Sequence, residues 1–148
     1  MGSAVAIAAL LAAAPGRAFD AAGADIIGLR LGMPETEVAA RLTRQGYLVT
    51  GESGTIMART RDGRLQVSLS GDRGVTRINY VFYGRDAGAP AKIQEAVITR
   101  FGDPDQAKPM TWCRAVGPDG TCPRDRASLT FLPDSLTLVL QAGAAGLP

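Results

Sequence analysis

Arg64-Leu65-Gln66-Val67-Ser68-Leu69-Ser70 is the stretch that decides the fold. Leu65, Val67 and Leu69 alternate with Arg64, Gln66, Ser68 and Ser70, and a period of two is the mark of a strand with one dry and one wet face. Asp62-Gly63 just before it is a two-residue hairpin signal, so Thr55 to Arg61 reads as its antiparallel neighbour. Gly71-Asp72-Arg73-Gly74 turns the chain into Val75 to Tyr83, where Ile78, Tyr80 and Phe82 share a face. Outward from there the strands come in runs. Met110 to Val116, Arg126 to Leu132 and Ser135 to Gln141 form a second set, with turns at Gly117-Pro118-Asp119-Gly120 and Pro133-Asp134. Leu136, Leu138 and Leu140 are expected to face inward.

Each run follows a helix. Pro34 is a favoured first helical residue, Glu35 and Glu37 suit the positive end of the helix dipole, and Arg41 and Arg44 suit the negative end. Val38, Ala39 and Leu42 share one side, and Gly46 stands where a helix stop belongs. The second helix runs from about Pro90 to Phe101, with Ile93, Ala96, Val97 and Phe101 as its apolar stripe and Gly102 and Asp103-Pro104 as its stop. The helix starts lie about 56 residues apart. The expectation is an α+β domain: two helices packed on one face of an antiparallel sheet of about six strands. It is built as tandem α-β-β-β units over about 26–86 and 87–142.

Residues 1–18 read as a signal peptide. Ala4 to Ala14 is an apolar run too short to span a bilayer, Pro15-Gly16 breaks it, and Gly16-Arg17-Ala18 offers small residues for cleavage after Ala18. A single domain over 19–148, bacterial and periplasmic or secreted, is expected, with no transmembrane segment. Of 16 basic residues, removal of Arg17 leaves fifteen against 14 acidic ones, and the charges are interspersed. That balance gives no support to a nucleic-acid partner.

Cys113 and Cys122 are the two cysteines. In an oxidising compartment so close a pair reads as a bridge. A loop of roughly ten residues closed this way is worth about 2.5–3 kcal/mol in the chain-entropy model. A metal site would need more ligands, and there is no histidine. A redox pair would favour a C-x-x-C spacing.

The absence of histidine also removes the serine–histidine and cysteine–histidine nucleophile pairs. Lys92 and Lys108 have no serine nearby in sequence. Asp103 and Asp105 are the closest acid pair, but Asp103 before proline is turn chemistry, as are Asp62, Asp72, Asp119 and Asp134. Gly51-Glu52-Ser53-Gly54 lacks the lysine of a phosphate loop and reads as a linker or strand-entry turn. Asp119 to Asp125 lacks the ligand alternation of a calcium loop. No cofactor and no metal are expected.

By alternation the outward sheet face shows Arg64, Gln66, Ser68, Arg77, Asn79, Val81, Tyr83, Thr137, Val139 and Gln141. A polar face with arginine and tyrosine suits recognition of a protein or polar ligand. The expected function is a non-catalytic binding or interaction module for an unidentified envelope protein or polar ligand. Arg77, Tyr83, Trp112 and Arg114 are the candidate contacts. Trp112, beside Cys113, reads either as an anchor or, more readily, as packing against the bridge. The competing reading is a cell-envelope hydrolase using paired carboxylates, and a third is a scaffold within an envelope complex.

Ile26-Ile27-Gly28-Leu29-Arg30-Leu31-Gly32-Met33-Pro34 with Glu37 resembles the G-x-x-x-G-M-[S/P]-x-x-E helix entry of small bacterial envelope domains. The β-lactamase-inhibitor-like proteins and the outer-membrane assembly lipoproteins of the SmpA/OmlA type are the families it resembles in plan. Phe101-Gly102-Asp103-Pro104 is similar to the [YF]-G-x-P that closes a later helix in such domains. The resemblance implies a helix pair on one face of a twisted antiparallel sheet and work done by binding proteins. Two departures stand out. The lipoprotein cysteine is absent, and the aromatic-rich sheet face of the inhibitors has no counterpart in a chain with 4 Phe, 3 Tyr and 1 Trp.

Overall fold

The computed structural model describes residues 19–20 and 23–144, so the expected leader lies outside the described residues. The described chain is α+β, with two helices and one antiparallel sheet. Helix α1 spans Glu35–Arg44 and strands β1 to β4 follow at Leu48–Glu52, Thr55–Arg59, Gly63–Ser70 and Gly74–Phe82. Helix α2 spans Ala89–Phe101, and β5 to β8 follow at Gln106–Ala107, Met110–Trp112, Ser128–Leu132 and Thr137–Gln141. No helix among the described residues is long and apolar enough to cross a membrane.

The sheet has eight strands rather than about six, and each unit is one helix followed by four strands. The two additions, β1 and β5, are its edges: the order is β1-β2-β3-β4-β8-β7-β6-β5. Edge strands pair on one side only, which weakens the alternation that marks a strand in sequence. In β1, Leu48, Thr50, Gly51 and Glu52 are all exposed. The supposed linker Gly51 to Gly54 is therefore half strand, with Ser53-Gly54 as the turn between Glu52 and its register partner Thr55. β5 is only two residues long and joins β6 through a cis Lys108-Pro109 bond.

Two apolar rows cross the inner face. One runs Val49, Ala58, Leu65, Tyr80, Leu138, Phe131, Met110, and the other Gly51, Ile56, Val67, Ile78, Leu140, Leu129, Trp112. They belong to the same core as Val38 and Leu42 of α1 and Ile93 and Val97 of α2. Both helices bury the i, i+4 stripe that their sequences display. Gly46, at φ 78°, ends α1 as expected, and Tyr47 N donates to the Leu42 carbonyl at 3.1 Å.

The motif before α1 folds into a clamped turn. Ile26 and Leu29 exchange both backbone hydrogen bonds at 3.0 Å, with Ile27 (φ 49°) and Gly28 (φ 84°) between them in the left-handed region. For a β-branched residue that conformation is strained. Side chains hold it in place: Arg41 Nη1 and Gln45 Nε2 donate to the carbonyls of Gly28 (2.7 Å) and Ile27 (3.2 Å). Asp25 accepts from Gly28 N at 2.8 Å and pairs with Arg100 of α2 at 2.7 Å. One turn thus touches both helices. Its continuation lies against β4: Gly32 N donates to Val75 O and Val75 N to Met33 O. Gly74, at φ 68°, lets the two backbones meet, since a Cβ there would stand 2.6 Å from Met33 O.

Two local expectations change. The β2–β3 turn is centred on Arg61-Asp62, one residue before Asp62-Gly63, because Thr60 closes it: Thr60 N donates to Gly63 O and Gly63 N to Thr60 Oγ1, both at 3.0 Å. Leu136 is a turn residue at φ 50°, half-buried, rather than part of β8. Ordered backbone also continues past the last expected strand: Ala142 N and Ala144 N donate to Thr76 O (2.8 Å) and Arg124 O (3.0 Å).

Candidate binding surface

The register fixes what the outer face presents. Its middle row is Thr50, Met57, Gln66, Asn79, Val139, Thr130, Thr111, Gln106. On one side of it lies the row Glu52, Thr55, Ser68, Arg77, Gln141, Ser128, and on the other Leu48, Arg59, Arg64, Val81, Thr137, Leu132. Hydroxyls, amides and three arginines dominate, and Glu52 is the one acid in these rows. The expected wet face is there, but it is not uniformly open.

At the β5–β6 end the disulfide loop closes over it. Cys113 and Cys122 are bridged, with Cα atoms 5.7 Å apart. Asp105 accepts from Cys113 N and the Gln106 side chain from Cys122 N, each at 2.8 Å. Beneath, Thr111 and Ser128 are buried, and so is Val139, which the alternation had placed in water. Val139 sits on a strand paired on both sides, between Asn79 and Thr130, where side chains of the same row shield it.

The β1–β4 half is open. Leu48 is 70% and Met57 49% exposed, and Arg59, Arg64, Gln66 and Arg77 are exposed beside them. Arg59 and Arg64 are direct register partners. Like charges so placed destabilise a strand pair, by up to about 1 kcal/mol. Two more arginines stand at this end of the sheet. Arg61 is in the β2–β3 turn, and Arg85 Nη2 donates to the Arg61 carbonyl at 3.3 Å.

Beneath the same corner Tyr80 is fully buried, its hydroxyl 2.6 Å from Thr60 Oγ1. Burial pushes the Tyr80 phenol up to about 12; the Thr60 hydrogen bond opposes this, while the charges of Asp62, Tyr47 and Tyr83 add to it. Tyr47 is raised too, by burial and then by Asp62.

The four contacts expected from sequence are not brought together. Arg77 is exposed in the row farthest from the arginine corner, with its Nε on Asn79 Oδ1 at 3.0 Å. Tyr83 lies one residue past the end of β4, 37% exposed, with its backbone N donating to Asp62 O at 2.8 Å. Six residues of strand separate the two, about 20 Å. Arg114 is exposed in the disulfide loop, at φ 71°.

Trp112 is 1% exposed and on the inner face. Its indole donates to Gly102 O at 2.9 Å and its ring lies 6.1 Å from that of Phe101. It packs on the end of α2, and neither faces a partner nor lies on the side of the sheet where the loop sits. Arg59, Arg61 and Arg85, which the structure gathers at one corner, were not singled out from the sequence. The signal for Arg59 was its pairing with Arg64, which depends on a turn centre that Thr60 displaces by one residue.

Several carboxylates are engaged in local structure. Asp105 holds the Cys113 amide, Asp86 accepts from Gly88 N at 2.9 Å, and Asp119 takes the Thr121 hydroxyl at 2.7 Å. Those Thr121 bonds hold the exposed Asp119 carboxyl below its ordinary value. No group of three or more histidine, cysteine, aspartate or glutamate side chains suited to a metal ion occurs among the described residues. Compared with family models, curated proteins and solved structures, the chain matches none.

Proposed function

We infer that this chain is a non-catalytic binding module that works through the outer face of its sheet. The supporting observation is the asymmetry of that sheet. Its inner face is filled by the helices, whereas the β1–β4 half of its outer face leaves Leu48, Met57 and three arginine side chains in water. Exposed arginine and methionine are enriched where proteins meet partners. The bridged Cys113–Cys122 pair supports an oxidising compartment, and with the apolar run at 4–14 it makes a periplasmic or secreted location the coherent proposal. The resemblance to the small envelope domains stands with it as a proposal, resting on the helix-entry motif.

The test is positional. Gln66→Cys, in the middle of the open half, would be alkylated with a polyethylene glycol chain; Glu95→Cys, exposed on α2, would be treated identically. The native cysteines are already bridged, so each variant offers one thiol. Blocking position 66 is expected to abolish partner capture from an envelope extract, and blocking position 95 to leave it intact. Capture that survives the block at 66 removes the face from consideration.

A further inference from the structure

We propose that the open half of the outer face docks a short acidic protein segment, with its carboxylates on the Arg59–Arg64 pair and its apolar side chains over Leu48 and Met57. This rests on the binding-surface reading above and supplies the chemistry of the occupant.

Charge carries the first step. Arg59 and Arg64 are direct register partners on neighbouring strands, both exposed. No ion pair between either arginine and a carboxylate occurs among the described residues. Arg61 and Arg85 bring further positive charge to this corner, against a half-buried Asp62. Arg59 and Arg64 spring from backbones one strand spacing apart, about 5 Å, and each guanidinium is a planar donor that a carboxylate matches in a bidentate fashion.

Composition separates a protein from other polyanions. In their row the two arginines lie between Leu48 and Val81, with Met57 two residues before Arg59 on the same strand and diagonal to Arg64. No lysine occurs on this face; Lys92 is on α2 and Lys108 in the β5–β6 turn. Nucleic acids and anionic membranes are met by massed positive charge, lysine included. Arginine bordered by methionine and leucine is the pattern of a protein interface.

Size sets the form of the occupant. From β1 across to β4 the open half spans about three strand spacings by one strand length, roughly 14 by 17 Å, or about 240 Å² in projection. That is well short of the ~800 Å² per partner of a standard interface. A short segment fits, held weakly and with marked salt dependence.

The test uses the full chain and a fluorescent glutamate–tyrosine copolymer as the acidic, partly apolar probe. Polyglutamate, polyphosphate and phosphatidylglycerol vesicles are run in parallel. The copolymer is expected to bind more tightly than polyglutamate, and Arg59→Gln with Arg64→Gln to weaken it by about tenfold or more. Lys92→Gln, exposed on α2 and away from the outer face, should leave binding unchanged. The paired glutamine variant should melt no lower than the native chain, since it removes a like-charge contact, so lost binding would not reflect unfolding. Copolymer binding that is absent, or indifferent to Arg59 and Arg64, overturns the proposal, as does binding confined to polyphosphate or vesicles. If envelope capture is blocked at position 66 yet survives the glutamine pair, the surface stands and its acidic occupant falls.

Discussion

Gly74 and Gly71 sit in one turn and have opposite tolerances. A Cβ on Gly71 would meet nothing within 4 Å, while Gly74 combines φ 68° with the carbonyls of Met33 and Gly32. Gly74→Ala should therefore destabilise by about 2 kcal/mol or more, and Gly71→Ala by less than about 1 kcal/mol. Urea unfolding of the two variants compares them directly, and equal effects would disprove the close approach. Tyr80 makes a prediction in pH. Its folded-state pKa of about 12 exceeds the ordinary value of 10.0, so its neutral form stabilises the fold. That contribution is complete below about pH 10 and lost as the pH rises through 12, amounting to roughly 2–3 kcal/mol for two pKa units. Tyr80→Phe should flatten the alkaline fall in stability, read by denaturant unfolding between about pH 8 and 12. The sequence displayed Tyr80 as a core residue but not its bond to Thr60, twenty positions away in the chain.

Among the elements, those buried on one stripe were legible. Val38 and Leu42 in α1, Ile93 and Val97 in α2, and Leu65 and Val67 in β3 declare their period because burial demands it. The edge strands escaped notice since neither flank nor face forces a pattern on them. The arginine corner of the outer face escaped for a different reason: finding it needs the register, which a single turn resets. The disulfide loop was legible from cysteine spacing, though not its position over Thr111. Cys113→Ser with Cys122→Ser should lower stability by about 2–3 kcal/mol in the entropic account. Hydrogen exchange should rise in 113–127 and leave β1–β4 protected; faster exchange throughout would mean the bridge supports more than its own corner.

At the scale of the molecule, the tandem plan of helix then strands was legible and the strand order was not. Each unit is an antiparallel meander, and β8 joins them by pairing with β4 on one side and β7 on the other. Nothing in the composition of Thr137–Gln141 says which strand it will lie beside, because every inner-face neighbour is equally apolar. A chain ending at Leu136 should keep both helices yet associate in a concentration-dependent way, as measured by sedimentation. A monodisperse monomer would contradict the seam.

Of the eight strands, the one synthesised last is thus the one that stands at the seam in the middle of the sheet. Before it arrives, each meander holds up an open border, and both borders accept the same ribbon. A ribbon from a neighbouring molecule satisfies those borders as well as the chain's own. Crowded nascent chains are thereby exposed to reciprocal exchange of their C-terminal ribbons, giving interlocked pairs whose individual halves are indistinguishable from the native monomer.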